Sequence, residues 1–274
     1  MNLFRVKSVL TIVFISYLTI FIMRVINSLF VIHKWTSFFD NLGIFLTIST
    51  LLIGIAALFL YKLLGPLYHI TSSSGNNLIS AAEQASLLAK AKKTSARVTL
   101  LLIVVNIIGF IIGPAIVMFI SNRLGPAVYD APLFGVVIAL NSAFGLMAAL
   151  FELSVIDLFL LPLKKKLGIY SFDRSERELS IKTKIVLTGI AGAYFLSVLV
   201  GSASYGWFRF VQSGGVTSFL GELLLLMIFG LTINVLLLYI LAHSISHRLK
   251  INKQQLLKLT EGADLNEQIS IDQF

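Results

Sequence analysis

The chain has 274 residues, 57% of them hydrophobic and only 13% charged, with a mean hydropathy of +0.91 and a net charge of +9. A soluble domain carries about 25% charged residues, so the composition excludes one and points to an integral membrane protein. Cysteine is absent, which excludes a disulfide framework or a cysteine-ligated metal. The basic excess is read by where it falls relative to the membrane, and no nucleic-acid partner is expected from it.

Six apolar runs are long enough to cross a bilayer as helices: residues 9–31, 42–64, 98–120, 133–161, 185–207 and 219–240. The predicted class is all-α and polytopic, with residues 1–243 as one six-helix module. The first run follows Arg5 and Lys7 but is too long for a signal peptide and lacks a small-residue cleavage pattern, so it reads as a retained span. Between the second and third runs, residues 71–77 are rich in Ser, Gly and Asn and read as a breaker. Residues 78–93 are rich in helix formers but too polar to span, and predict a separate cytoplasmic helix. The cluster Lys90, Lys92 and Lys93 is either a solvated face or a contact to anionic lipid.

Of the 22 Lys and Arg residues, only Lys34, Arg123 and Arg209 fall in the odd-numbered connections, and Arg24 falls within a span. All the others lie at the termini, in the even-numbered connections or, for Lys62, in the last turn of the second span next to one. The positive-inside rule therefore predicts cytoplasmic termini and a multi-pass protein of the cell (inner) membrane. The odd-numbered connections are short, which leaves no room for a folded external sensor domain. Basic residues precede the first, third and fifth spans, and Pro66 and Pro162 follow the second and fourth. This pattern predicts three hairpin repeats; any six-span chain also divides into hairpins.

Charged and amide side chains inside spans are costly and so informative. Arg24 and Glu222 lie at similar depths near the outer ends of the first and sixth spans. They read either as an ion pair coupling those helices, or as a snorkelling arginine and an interfacial glutamate. Glu152 lies deep in the fourth span, with Asp157 closer to its cytoplasmic end. Asn106, Asn141 and Asn234 each place one amide within a span, where such groups hydrogen-bond between helices. His243 and His247 are four apart, but two histidines at a membrane exit read as headgroup contacts rather than a metal site. No phosphate-cradling glycine loop, His-Glu-x-x-His or nucleophile elbow is present, so no catalytic residue, cofactor or metal is expected.

The sixth span runs without proline into Ile245, Leu249, Asn252, Leu256 and Leu259, spaced four, three, four and three apart. That spacing is a heptad seam. Beyond it stand Glu261-Gly262-Ala263-Asp264-Leu265 and then Ile269 and Ile271. Residues 244–274 resemble the first helix and connector of a HAMP linker, which follows the last membrane span in chemotaxis receptors, sensor histidine kinases and class III nucleotidyl cyclases. In that family a glycine ends the first helix and apolar connector residues pack into a dimeric four-helix bundle. Gly262, Leu265, Ile269 and Ile271 match those roles. The resemblance implies a homodimer and a cytoplasmic output domain beyond the linker, most like the six-span region of a methyl-accepting chemotaxis protein. A cyclase or kinase sensor and a small multi-pass transporter are the competing readings.

Overall fold

The computed structural model describes residues 3–39, 42–65, 81–124, 130–166, 181–211 and 216–260. Among them it forms six long helices: α1 (Leu3–Ile26), α2 (Leu42–Leu63), α3 (Ala81–Leu124), α4 (Ala131–Lys166), α5 (Ile181–Phe210) and α6 (Val216–Thr260). Each contains a stretch long and apolar enough to cross a membrane. Lipid offers the backbone no hydrogen-bond partners, so a helix that satisfies its own backbone is the form such runs take. The chain is therefore a multi-pass helical membrane protein.

The helices alternate in direction. Arg5 at the start of α1 donates from Nη2 to the Tyr61 carbonyl at the end of α2, at 2.6 Å. Lys184 near the start of α5 meets Asp157 near the end of the membrane stretch of α4. These contacts lie at the base, the end where α1 begins and α6 leaves. At the opposite end, the crown, Arg209 of α5 donates from Nη1 and Nη2 to the two carboxylate oxygens of Asp130, at 2.9 and 2.8 Å.

Helix α4 is the hub, packed against α1, α3, α5 and α6. Leu140, Ala143, Phe144 and Ala148 face the core, and the Phe144 and Phe195 rings meet edge-on at 5.0 Å. Close approach requires small residues. A Cβ at Gly145 would lie 2.8 Å from Phe110 Cβ and 3.0 Å from the Asn106 carbonyl oxygen, so glycine is what lets α3 and α4 touch.

At the crown, α1 continues through a π-helical turn, Asn27–Val31, and a 3-10 turn follows at Trp35–Phe38. The wider turn brings Asn27, Ser28 and Val31 inward. It also lays backbone against α5, where a Cβ at Gly206 would come within 2.6 Å of the Phe30 carbonyl oxygen.

One boundary differs from expectation. Residues 81–93 are not a separate helix but the first turns of α3, a 44-residue helix that includes Pro114. Helix formers run up to the third span with no breaker between Lys93 and Val98, so nothing ends the helix where the chain becomes apolar. Helix α6 runs 45 residues to Thr260, past the apolar run that ends at 240, as the absence of proline after that run led one to expect.

Candidate functional site

The deepest polar group among the described residues with a cavity beside it is Glu152. It points from α4 towards α1 and α3 and is 1% exposed. Ser16 of α1 donates to Oε1 at 2.8 Å, and Asn106 of α3 donates from Nδ2 to Oε2 at 2.6 Å. The same Asn106 nitrogen donates to the Leu102 carbonyl in its own helix at 2.9 Å. One carboxylate thus joins three helices, each of its oxygens accepting from a neutral donor.

The carboxylate borders a cavity of about 70 Å³ lined by α1, α2 and α3. Its walls are apolar apart from Ser16, Ser49, Asn106 and Glu152. On α3 the wall carries Gly109, Gly113 and Pro114. A Cβ at Gly109 would meet nothing within 4 Å, so missing side chains on α3 leave the space open. None of the described residues lining it is Lys, Arg or His.

Towards the crown a second polar contact reaches α4. Asn27, in the π-helical turn after α1, donates from Nδ2 to Asn141 Oδ1 of α4 at 3.1 Å, and both residues are buried. Asn106 and Asn141 thus bond between helices. Asn234 does not: it donates to Gly230 O in its own helix at 2.9 Å and packs its oxygen into the notch at Gly192 of α5.

Arg24 and Glu222 have different partners rather than each other. Arg24 donates from Nε to the Phe38 carbonyl at 2.7 Å and lies 4.4 Å from the Phe45 ring centroid. The connection after α1 folds back far enough for the long side chain to find backbone instead of crossing to α6. Glu222 Oε2 lies 4.0 Å from His33 Nδ1. His33 has a left-handed backbone (φ 52°) and sits edge-on to Trp207, with ring centroids 5.8 Å apart. Burial holds its imidazole below the usual histidine range, opposed by the Glu222 carboxylate and by a hydrogen bond to the Phe30 backbone.

Of the linker seam, Ile245 is half-buried near the base. Leu249, Asn252, Leu256 and Leu259 lie on α6, but their side chains are outside the described residues. Gly262, Leu265, Ile269 and Ile271 are outside them altogether. Among the described residues no group of three or more His, Cys, Asp or Glu is placed to hold a metal ion.

Sequence reasoning missed Ser16, Asn27 and His33 as members of these contacts. A serine in an apolar helix can bond its own i−4 carbonyl, as the Ser154 and Ser197 hydroxyls do, so Ser16 carried no signal. Asn27 could have been found as an amide near a span end. No protein-family model matches the chain, and no curated protein or solved structure matches it either.

Proposed function

We propose that this chain is the membrane-embedded input module of a signal transducer of the chemotaxis-receptor kind. In this reading α6 carries the signal to a cytoplasmic output domain, two copies pair along the heptad seam, and both termini are cytoplasmic. The observation that supports it is the continuity of α6, which runs unbroken from Val216 to Thr260. At about 1.5 Å per residue, 45 residues make roughly 67 Å, more than twice the roughly 30 Å hydrocarbon core. An unbroken rod can pass a rotation or a displacement across the boundary, whereas a flexible exit would dissipate it.

Single cysteines from residue 245 to 259 test the pairing, and no native cysteine interferes. Crosslinking between chains is expected to peak at Leu249, Asn252, Leu256 and Leu259 and to fall at Lys250, Lys253 and Lys258. A flat profile would remove the seam and the transducer reading with it. Reporters at Ser37 and Gly214 are expected outside, and those at Leu88 and Ser175 inside.

One observation favours a second reading, a small multi-pass transporter: Glu152 is a buried carboxylate beside an intramembrane cavity, the kind of group that marks substrate and ion pathways. Flux into vesicles holding the purified protein would support it over the first. A cyclase or kinase output would leave the membrane module unchanged and alter only what α6 drives.

A further inference from the structure

We propose that the cavity at Glu152 binds a small protonated lipophilic amine, with its ammonium on the Glu152 carboxylate and its apolar body between α1, α2 and α3. The inference rests on the membrane-spanning fold and not on the direction of signalling or transport.

Charge comes first. Glu152 is 1% exposed, and its two oxygens accept from Ser16 and Asn106, both neutral donors. A carboxylate removed from water is stable only when it carries a proton or stands beside a cation. The described lining supplies no cation. Arg24, on the same helix as Ser16, is eight residues towards the crown, about 12 Å along the axis, and is engaged with Phe38 and Phe45. The site therefore holds a carboxyl with no counter-charge of its own, and a ligand's ammonium would be what keeps it ionised.

Space and polarity then select the ligand. The cavity of about 70 Å³ is several times the roughly 10–15 Å³ that admits one water. A hard metal cation takes six or more oxygen ligands, and the side-chain oxygens lining this cavity are those of Ser16, Ser49, Asn106 and Glu152. An amine needs fewer: its N–H groups donate to the carboxylate, and its hydrocarbon covers the apolar wall. The Phe110 side chain lines the same space, and an aromatic ring is a favourable neighbour for a cation that meets its face. Anions and neutral polar solutes fit neither the charge nor the walls.

Entry follows from packing. Helix α2, one wall of the cavity, has 11% of its membrane-length stretch buried, the lowest share of the six spans. It is the wall held by the least protein, so the bilayer side at α2 is where a lipophilic ligand reaches the cavity.

The test is direct binding of radiolabelled benzylamine to the purified full chain in nanodiscs, with benzyl alcohol as the neutral isostere. Saturable benzylamine binding is expected, without competition from equimolar benzyl alcohol. Glu152→Gln keeps the side-chain shape and is expected to weaken binding roughly thirtyfold or more, as for loss of one partner of a buried charge pair. Gly109→Leu leaves the carboxylate in place, fills the cavity and is expected to abolish binding; it decides the matter should Glu152→Gln fail to fold. Absence of saturable binding, equal binding by Gly109→Leu or by folded Glu152→Gln, or equal affinity for benzyl alcohol would each overturn the proposal. Because the readout is binding, its failure is separate from a flat crosslinking profile along α6, which would overturn the transducer alone.

Discussion

Helices α4 and α6 both exceed the length needed to cross a membrane, yet 61% of the membrane-length stretch of α4 is buried and only 17% of that of α6. The exposed helix is the more apolar of the two. In water the order would be the reverse, since burial follows hydrophobicity. In a bilayer the tails are as apolar as leucine, so an apolar surface gains little by turning inward. What draws a helix to the centre is what lipid cannot satisfy or match. On α4 these are Asn141 and Glu152, with partners on α1, the turn after it and α3, and Gly145, Ala148 and Ala149, which let neighbours approach. On α6, Leu224, Leu225, Ile228, Leu231 and Val235 stand exposed, at no cost in lipid.

The sharpest way to break this contrast is Gly145→Leu. Its Cβ would already crowd Phe110 and Asn106, and a leucine would force α3 off α4. Overpacking costs about 1–3 kcal/mol or more, so thermal unfolding in detergent is expected to show a large loss of stability or no folded protein. Leu231→Ala on the exposed face of α6 is expected to change stability by less than about 0.5 kcal/mol.

The next effect is the carboxylate linkage. A double-mutant cycle of Asn106→Ala and Glu152→Gln is expected to give a coupling of about 1 kcal/mol, near the upper range for polar contacts between membrane helices. Additive losses would mean that the contact contributes nothing to holding α4 in place.

A smaller effect separates the asparagines. Asn141→Ala strands Asn27 across the contact with α4 and is expected to cost a little under about 1 kcal/mol, above the average of about 0.6 kcal/mol for such contacts. Asn234→Ala removes a bond closed within its own helix, and its cost should be near the 0.6 kcal/mol average or below it. Equal costs would show that the polar contact matters regardless of which helix it joins.

The smallest effects lie at the crown. Burial favours the neutral form of His33 in the folded protein. The stability this contributes is full above the usual histidine value of about 6.5 and falls as pH drops from there towards the lowered folded value. His33→Gln is expected to flatten that part of the stability profile, measured as melting temperature against pH. Asp130, held below the usual carboxylate range chiefly by its hydrogen bonds from Arg209, acts in the same sense but at lower pH. Its contribution is full above about pH 4 and is lost below, so Arg209→Ala should leave the profile near neutrality unchanged.

The six spans were legible because each apolar run is interrupted by polar connections, and Glu152 and Asn106 because a polar group in a span is rare. Helix ends were less legible. Hydropathy marks where the chain enters lipid, not where the helix stops, and α3 carries its helix past that line. Partnership was the least legible. Matching Arg24 to Glu222 by depth ignored the connection at 32–39, whose Phe38 carbonyl came closer to the guanidinium. The cavity left no positive mark either, because part of it is the side chain that Gly109 does not have.

The unbroken run of α6 has a consequence for anyone building chimaeras on this scaffold. The helix behaves as a screw of fixed pitch: removing one residue turns whatever is joined to it by about 100° and draws it in by about 1.5 Å. Junctions chosen seven residues apart differ by only about 20° in azimuth, whereas neighbouring junctions point in unrelated directions. Fusions made after Ser246 should therefore fall into recurring classes by residue count, and a silent fusion is best followed by a shift of one or two residues before the partner is changed.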